Sequence, residues 1–355
     1  MVNPAKLRAL KDRFATPVDT PLPPGKRVVF DPEFKRVMDA SSGTLPYANP
    51  STFLDLPYRP DAVASGNFSD LDVALIGVPL DLGVTTRSGA RLGPRAIRAI
   101  ERVGPFEHVL RLAPSVDHKL ADVGDVPFSS RFSLEQSHKD IEAFFGKVVK
   151  AGVTPLAVGG DHSISYPILR AIGRSHPVGM IHIDAHCDTS GPLEGSRFHH
   201  GSPFRQAVLD GVLDPERTIQ IGIRGSSEIN AEFSYESGMT VIHIEELVQM
   251  GLPAVIERAR SVAGAGPTYL TFDIDSLDPA FAPGTGTPEV GGLTTREALQ
   301  LLRGVAGLDI VGGDVVEVAP QYDTTTNTAH AACQILFEIL CLSIIALDKR
   351  RQATR

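Results

Sequence analysis

The segment MIHIDAHCDT, residues 180–189, begins as an apolar run and ends in ionisable groups. Asp184, His186 and Asp188 recur at every second position, with Ala185 and Cys187 between them. Alternate residues of a strand share a face, so the three side chains can converge on one point. TYLTFDID repeats the pattern with Asp273 and Asp275, PLAVGG runs into Asp161 and His162, and GGDVV runs into Glu317. Carboxylates gathered beside a core repel and raise one another's pKa. Asp184, Asp188, Asp273 and Asp275 together carry a formal −4 that two divalent cations would cancel, with His162 and His186 as further donors. Oxygen and imidazole donors without thiolate suit Mn²⁺ and related ions better than a structural zinc site. A lone Asp or His of this kind is more often a helix cap or a rim residue. The whole set, at strand ends and at alternate spacing, favours a metal centre. Cys187 should point elsewhere, as a small buried filler.

The elements that would position these groups are legible as an alternation. DVALIGVPL, TPLAVGG, PVGMIHIDAH, TIQIGIR, MTVIHI, TYLTFDID and DIVGGDVVEV read as strands. LEQSHKDIEAFFGKVVKAG, YPILRAIGRSH, TTREALQLLRGV and a long segment from about Thr328 read as helices. PRAIRAIERV starts another helix, with Pro94 in its first turn. Mostly continuous apolar strands separated by helices predict an α/β domain whose mostly parallel central sheet is covered on both faces. Ligands of such sheets bind beyond the carboxyl ends of the strands, where the acids lie. The sequence is read as a single α/β domain over residues 66–350. Residues 1–65, with TPVDTPLPPGKRVVFDPEF and LPYANPSTFLDLPYRP, are expected to form a Pro-rich extension with little regular structure.

The bulk numbers bound the partners. The chain has 355 residues, 42% hydrophobic and 21% charged, with a formal charge of −8 and no basic run. Nucleic acid and anionic membranes are therefore poor partners. Cys187, Cys333 and Cys341 form no CxxC pair, which suits a reducing, cytoplasmic setting. No secretory signal is visible in MVNPAKLRALKDRF. CQILFEILCLSIIALDKR comes nearest to a membrane span, but Glu338 interrupts it and it reads as a buried amphipathic helix.

The motifs GGDHS (159–163), DAHCD (184–188) and FDIDSLDPAFAPGTGTPE (272–289) resemble those of the arginase/agmatinase, or ureohydrolase, family. HGSPFR (200–205), VVEVAPQYD (315–323) and the loop GVPLDLGVTTRSGARLGPRAIR (77–98) agree, and the likeness covers about residues 50 to 347. HGSPFR is more similar to agmatinases and guanidinobutyrases than to arginases. The resemblance implies a three-layer α/β/α fold and a binuclear manganese centre, with nickel as an alternative. His162, Asp184, Asp188 and Asp273 would hold one ion; Asp184, His186, Asp273 and Asp275 would hold the other. It also implies a homo-oligomer, a trimer or hexamer.

The implied reaction is hydrolysis of a small guanidino compound of the agmatine type to urea and an amine, by hydroxide held between the metals. Glu317 would pair with the guanidinium, a directional, charge-assisted contact. His200 would shuttle the proton that the leaving amine needs. Asp161 is expected to accept hydrogen bonds behind the site rather than to bind metal. Arg91 and Arg95 are expected to shape the entrance. The tail of the substrate is open on sequence: Glu194 would greet an ammonium, Arg197 a carboxylate, and either could simply be solvated. A 4-guanidinobutyrase, a 3-guanidinopropionase, a guanidine or biguanide hydrolase and a silent subunit of a hetero-oligomer are the alternatives.

Overall fold

Apolar runs bounded by glycine and aspartate become eight strands in the computed structural model, which describes residues 3–15, 31–40, 48, 50–101 and 103–354. They are β1 (Val73–Val78), β2 (Leu120–Asp125), β3 (Thr154–Gly159), β4 (Val178–Ile183), β5 (Leu213–Ile223), β6 (Thr240–His243), β7 (Thr268–Asp273) and β8 (Ile310–Val316). The sheet order is β2-β1-β3-β8-β7-β4-β5-β6, and every neighbouring pair is parallel. Sequence reading passes over β2, whose LADVGD alternates weakly and ends in an exposed Asp125. The acid-bearing strands β3, β8, β7 and β4 are adjacent in the middle of the sheet, so their carboxyl ends open onto one crevice.

Strand side chains alternate between two cores. Ile181 and Ile183 of β4, with Leu270 and Phe272 of β7, join the layer built with helices Leu252–Ala263, Thr295–Gly304 and Asn327–Ala353. Met180 and Tyr269 face the layer built with helices Leu134–Lys150 and Ser165–Ile172. The result is the expected three-layer α/β/α arrangement.

Two expectations change. Helices form over Pro4–Phe14, Pro32–Ala40 and Pro60–Ser65, where little regular structure is expected from the proline content. Each opens on its proline, whose missing N–H and fixed φ cost nothing in a first turn. Asn3 and Asp31 add capping acceptors for Ala5 N (2.9 Å) and Phe34 N (3.2 Å). Phe53 and Ala62 are fully buried, so this part of the chain contributes to the core. Residues 16–30 and 41–47 of the Pro-rich stretch lie outside the described residues. The helix Asn327–Ala353 is buried as expected, but it is not amphipathic: every residue from 335 to 344 is buried. It is wedged between β8 and helices Gly93–Arg98 and Thr295–Gly304, so no face needs to be polar.

Candidate metal centre

At the end of β3 the backbone passes tightly against the turn that follows β1. A Cβ at Gly160 would lie 2.3 Å from the Leu80 carbonyl oxygen and 2.6 Å from that of Val78, so only glycine fits. Asp161 then caps the short helix His162–Ile164. One of its oxygens accepts Ser163 N–H (3.0 Å) and the other accepts Gly83 N–H (2.8 Å). Burial, with the neighbouring Glu317, raises its pKa to about 6. It is an anchor for two loops and stands behind the cluster.

His162 shows what the cluster is missing. Its Nε2 lies 2.8 Å from Thr271 Oγ1, and Thr271 donates its hydroxyl hydrogen to Asp314 Oδ1 at 2.5 Å. A hydroxyl whose hydrogen is spent can only accept, so Nε2 carries the proton of the neutral ring and Nδ1 holds the lone pair. That buried Nδ1 has no hydrogen-bond partner. It faces Asp188 Oδ2 at 2.9 Å, Asp184 Oδ2 at 3.1 Å and Asp273 Oδ2 at 3.2 Å. A lone pair against three carboxylate oxygens requires something positive between them. A second proton is the weaker answer, and the three acids do raise the ring's pKa well above its ordinary value despite burial. A divalent cation is the stronger answer, since it attracts all four donors at once.

The second group mirrors the first. His186 Nδ1 lies 3.2 Å from Asp275 Oδ2 and 3.5 Å from Asp184 Oδ1. Burial opposes charge on this ring, but Asp275 and Asp184 raise its pKa far above normal. Burial and the like charges of Asp275 and Asp184 push Asp273 well above the carboxylate range, and burial raises Asp275 as well. Asp184 falls well below that range even though it is buried, because His182, His162 and His186 surround it. Among the described residues no Lys or Arg side chain pairs with these four carboxylates. The structure thus brings all six expected ligand residues together, with Asp184 and Asp273 central, and the oxygen and imidazole donors fit a pair of divalent cations.

The remaining expected site residues meet beside this cluster. His200 Nδ1 lies 2.8 Å from Glu317 Oε1, which also accepts His162 N–H at 2.8 Å. Thr85 N–H donates to His200 Nε2 at 3.2 Å. Burial opposes protonation of His200, but Glu317, Asp188 and Asp161 outweigh it and raise its pKa to about 9. Glu317 Oε2 is buried without a partner. Glu317 (φ 63) and Asp188 (φ 52) both hold left-handed backbone, uncommon away from glycine. A cavity of about 380 Å³ opens above, lined by Thr85, His186, Asp188, His200, Asp273 and Asp275 among others.

The charges weighed for the substrate's tail are not there. Glu194 and Arg197 are not among the residues lining this cavity; with Glu135 they line a surface depression next to it, and Pro192 is common to both. Arg91 pairs with Asp81. Arg87 donates to the Gly286 and Thr285 carbonyls at 3.0 and 2.8 Å and stacks on Tyr322. Cys187 is buried with Ile223 and Ala231, as a filler would be, yet it is also among the residues that line the cavity.

Sequence reading overlooks a row of buried polar residues under the cluster. Gln220, His182, Thr271 and Asp314 sit opposite one another on β5, β4, β7 and β8. The signal for His182 exists, since it extends the alternation two residues before Asp184. Its ligand atoms lie within 4.8 Å of those of His162 and Asp184, as do those of Asp184, His186 and Asp275 with one another.

Comparison with known proteins gives one answer. Residues 71–342 match the model of the arginase family. The chain is 49% identical to a guanidinopropionase of Pseudomonas aeruginosa over 300 residues, 83% of this chain and 92% of that one. It is 48% identical to a mitochondrial agmatinase of Gallus gallus, over 77% of this chain and 81% of the relative. Among solved structures, the proclavaminate amidino hydrolase of Streptomyces clavuligerus superposes with a TM-score of 0.79 at 36% identity. That match covers 85% of this chain and all of the other.

Proposed function

The chain belongs to the arginase family and is an amidinohydrolase acting on guanidino C–N bonds, and from that premise we propose that it splits a small linear compound of the agmatine type into urea and an amine at a pair of Mn²⁺ ions. The observation that carries the metal reading is the His162 lone pair set among three carboxylate oxygens. His162, Asp184, Asp188 and Asp273 would hold one ion, and Asp184, His186, Asp273 and Asp275 the other. When bound, such ions lower the pKa of water from about 16 toward 7 and so supply the nucleophile.

The chain's own side chains do the rest. Glu317 Oε2, buried and unpartnered, accepts a guanidinium N–H and so fixes the electrophilic carbon. Its Oε1 is held by the His162 N–H and the His200 ring, so the carboxylate cannot swing away. His200 holds a proton at Nδ1 against Glu317 and is supported from Thr85. Glu317 raises the ring's pKa and so favours uptake of a second proton at Nε2, which would exchange the Thr85 N–H contact for one to the Thr85 hydroxyl and would pass to the departing amine.

An amine tail is favoured because no Lys or Arg is among the cavity-lining residues, so a carboxylate tail meets no fixed cation there. A guanidino-acid reading is the alternative, favoured by the 49% identity to a guanidinopropionase and 42% identity to a guanidinobutyrase of the same bacterium. Urea release from agmatine, 4-guanidinobutyrate, 3-guanidinopropionate, arginine and guanidine, each with Mn²⁺ or Ni²⁺, tests both. Agmatine is expected to give the highest kcat/KM. A guanidino acid ahead by tenfold would transfer the assignment, and no urea from any compound would end it. We also propose a homo-oligomer, which light scattering would test, and a reducing cytoplasmic setting, in keeping with three cysteines that form no disulfide with one another.

A further inference from the structure

His182 lies beneath the candidate centre, fully buried on β4 two residues before Asp184. Its Nε2 is 2.7 Å from Asp184 Oδ2 and its Nδ1 is 3.0 Å from Gln220 Nε2. The Gln220 amide nitrogen also donates to the Cys187 carbonyl at 2.6 Å. That second contact decides the chemistry. A carbonyl only accepts, so the amide must turn its NH₂ toward Cys187, and with it toward His182. Gln220 therefore donates to Nδ1, which must be the lone-pair nitrogen. The ring proton then sits on Nε2 and is donated to Asp184. The His182 ring is held edge-on to His162 at 5.3 Å and against Phe204 at 4.5 Å between centroids.

We propose that His182 and Gln220 are positioning residues that act through Asp184, and that His182 is not a metal ligand. Both of its nitrogens are committed, and the one nearest the cluster presents a hydrogen rather than a lone pair. Asp184 is one of the two carboxylates, with Asp273, that both ligand sets share, so its two oxygens must face two directions at once. The His186 backbone N–H holds Oδ1 at 2.7 Å and the His182 ring Nε2–H holds Oδ2. Together these donors fix the rotation of the carboxylate before any ion arrives. The same polar row serves the other side, where Asp314 and Thr271 fix the tautomer of His162. Gln220 and Asp314 thus act from opposite ends of one register row.

The inference rests on the two-metal reading above, and its test needs no substrate. Mn²⁺ affinity and stoichiometry are measured by calorimetry and by elemental analysis after dialysis against buffered Mn²⁺. The proteins are wild type, His182→Phe, Gln220→Leu and the apolar double variant His182→Phe/Gln220→Leu, which leaves no stranded amide. His182→Phe is expected to keep two ions at saturating Mn²⁺ and to bind at least one of them about 10–100-fold more weakly, the usual cost of losing a ligand's supporting partner. Gln220→Leu is expected to weaken binding less, because the ring keeps its donor to Asp184. His182→Gln, whose amide still offers an N–H, should recover part of the affinity. Unchanged Mn²⁺ affinity in folded His182→Phe, or in the double variant if the single one does not fold, would overturn the positioning role. A fall to one ion at saturation would make His182 a ligand and overturn it equally. Wild-type protein that takes up no divalent metal would sink the two-metal reading instead.

Discussion

Two buried acidic clusters in this molecule resolve the same electrostatic problem in opposite ways. Glu107 and Glu338 are almost wholly buried, and Arg303 lies between them. Its Nη2 is 2.9 Å from Glu107 Oε1 and 2.6 Å from Glu338 Oε1. Gln334 and the Leu110 N–H supply further donors. That cluster takes its counter-charge from the chain, one guanidinium shared by two carboxylates. Asp184, Asp188, Asp273 and Asp275 have no guanidinium or ammonium partner among the described residues. The rings of His162 and His186 face them through Nδ1, and the pull of the acids on both rings offers protons where the other cluster has a guanidinium. Burial alone therefore does not distinguish a structural acid cluster from a chemical one; the source of the counter-charge does. His138 shows a third solution. It is buried against Tyr166 and Phe198, with Ser163 Oγ 3.3 Å from its Nε2. Burial lowers its pKa to about 3, so it stays neutral.

The sharpest way to break this contrast is Asp273→Asn. Both ions would lose a shared ligand, and kcat/KM should fall by more than about 10³, the equivalent of several kcal/mol of lost charge stabilisation. The melting temperature without metal should not drop, because one member of a repelling set has gone. Bound Mn²⁺ and Tm in EDTA check the two halves, and full activity would contradict the role of Asp273. Arg303→Met should do the reverse. It strands two carboxylates and should cost about 3–5 kcal/mol of folding stability, while folded molecules still take up two ions. Denaturant titration with metal analysis decides, and a stable variant would erase the distinction between the clusters.

Glu317→Gln sharpens the functional side. The amide oxygen can still accept from His162 and His200, but an NH₂ replaces Oε2 and faces the guanidinium. A loss of about 10² in kcat/KM with normal metal content is expected, and steady-state kinetics would reveal any variant as active as wild type. The smallest effect concerns His138. Its folded pKa lies below the unfolded value of about 6.5, so its stabilisation is complete above pH 6.5 and is lost as pH falls toward 3. Between pH 7.5 and 5.5 the wild type should lose about 1.4 kcal/mol more than His138→Phe. Urea unfolding at both pH values measures this, and parallel curves would count against a neutral buried ring.

The sequence is most legible where chemistry and local geometry coincide. Strand alternation is a property of neighbours in the chain, so Asp184, His186, Asp188, Asp273 and Asp275 can be grouped before any fold is known. The sheet order then brings His162 and Glu317 to them. The supporting row is less legible because its members are neighbours only across strands. Gln220 meets His182 over 38 residues of sequence, and Thr271 meets Asp314 over 43. A histidine within an apolar strand also reads as ordinary core. The N-terminal helices were hidden by their own prolines, which break helices inside but start them well at the edge. The long C-terminal helix lacks one polar face because it is enclosed on all sides, which only the packing reveals. Glu194 and Arg197 are eligible for the tail through closeness in sequence to the site, and the loop sets them beside the cavity rather than in its lining.

The left-handed backbone at Asp188 and Glu317 has a consequence for laboratory evolution. Glycine adopts that conformation freely, whereas other residues hold it at a cost of roughly 1–3 kcal/mol. A library selected for heat resistance alone should therefore drift toward glycine at both positions. Its winners would be sturdier scaffolds that no longer turn over a substrate.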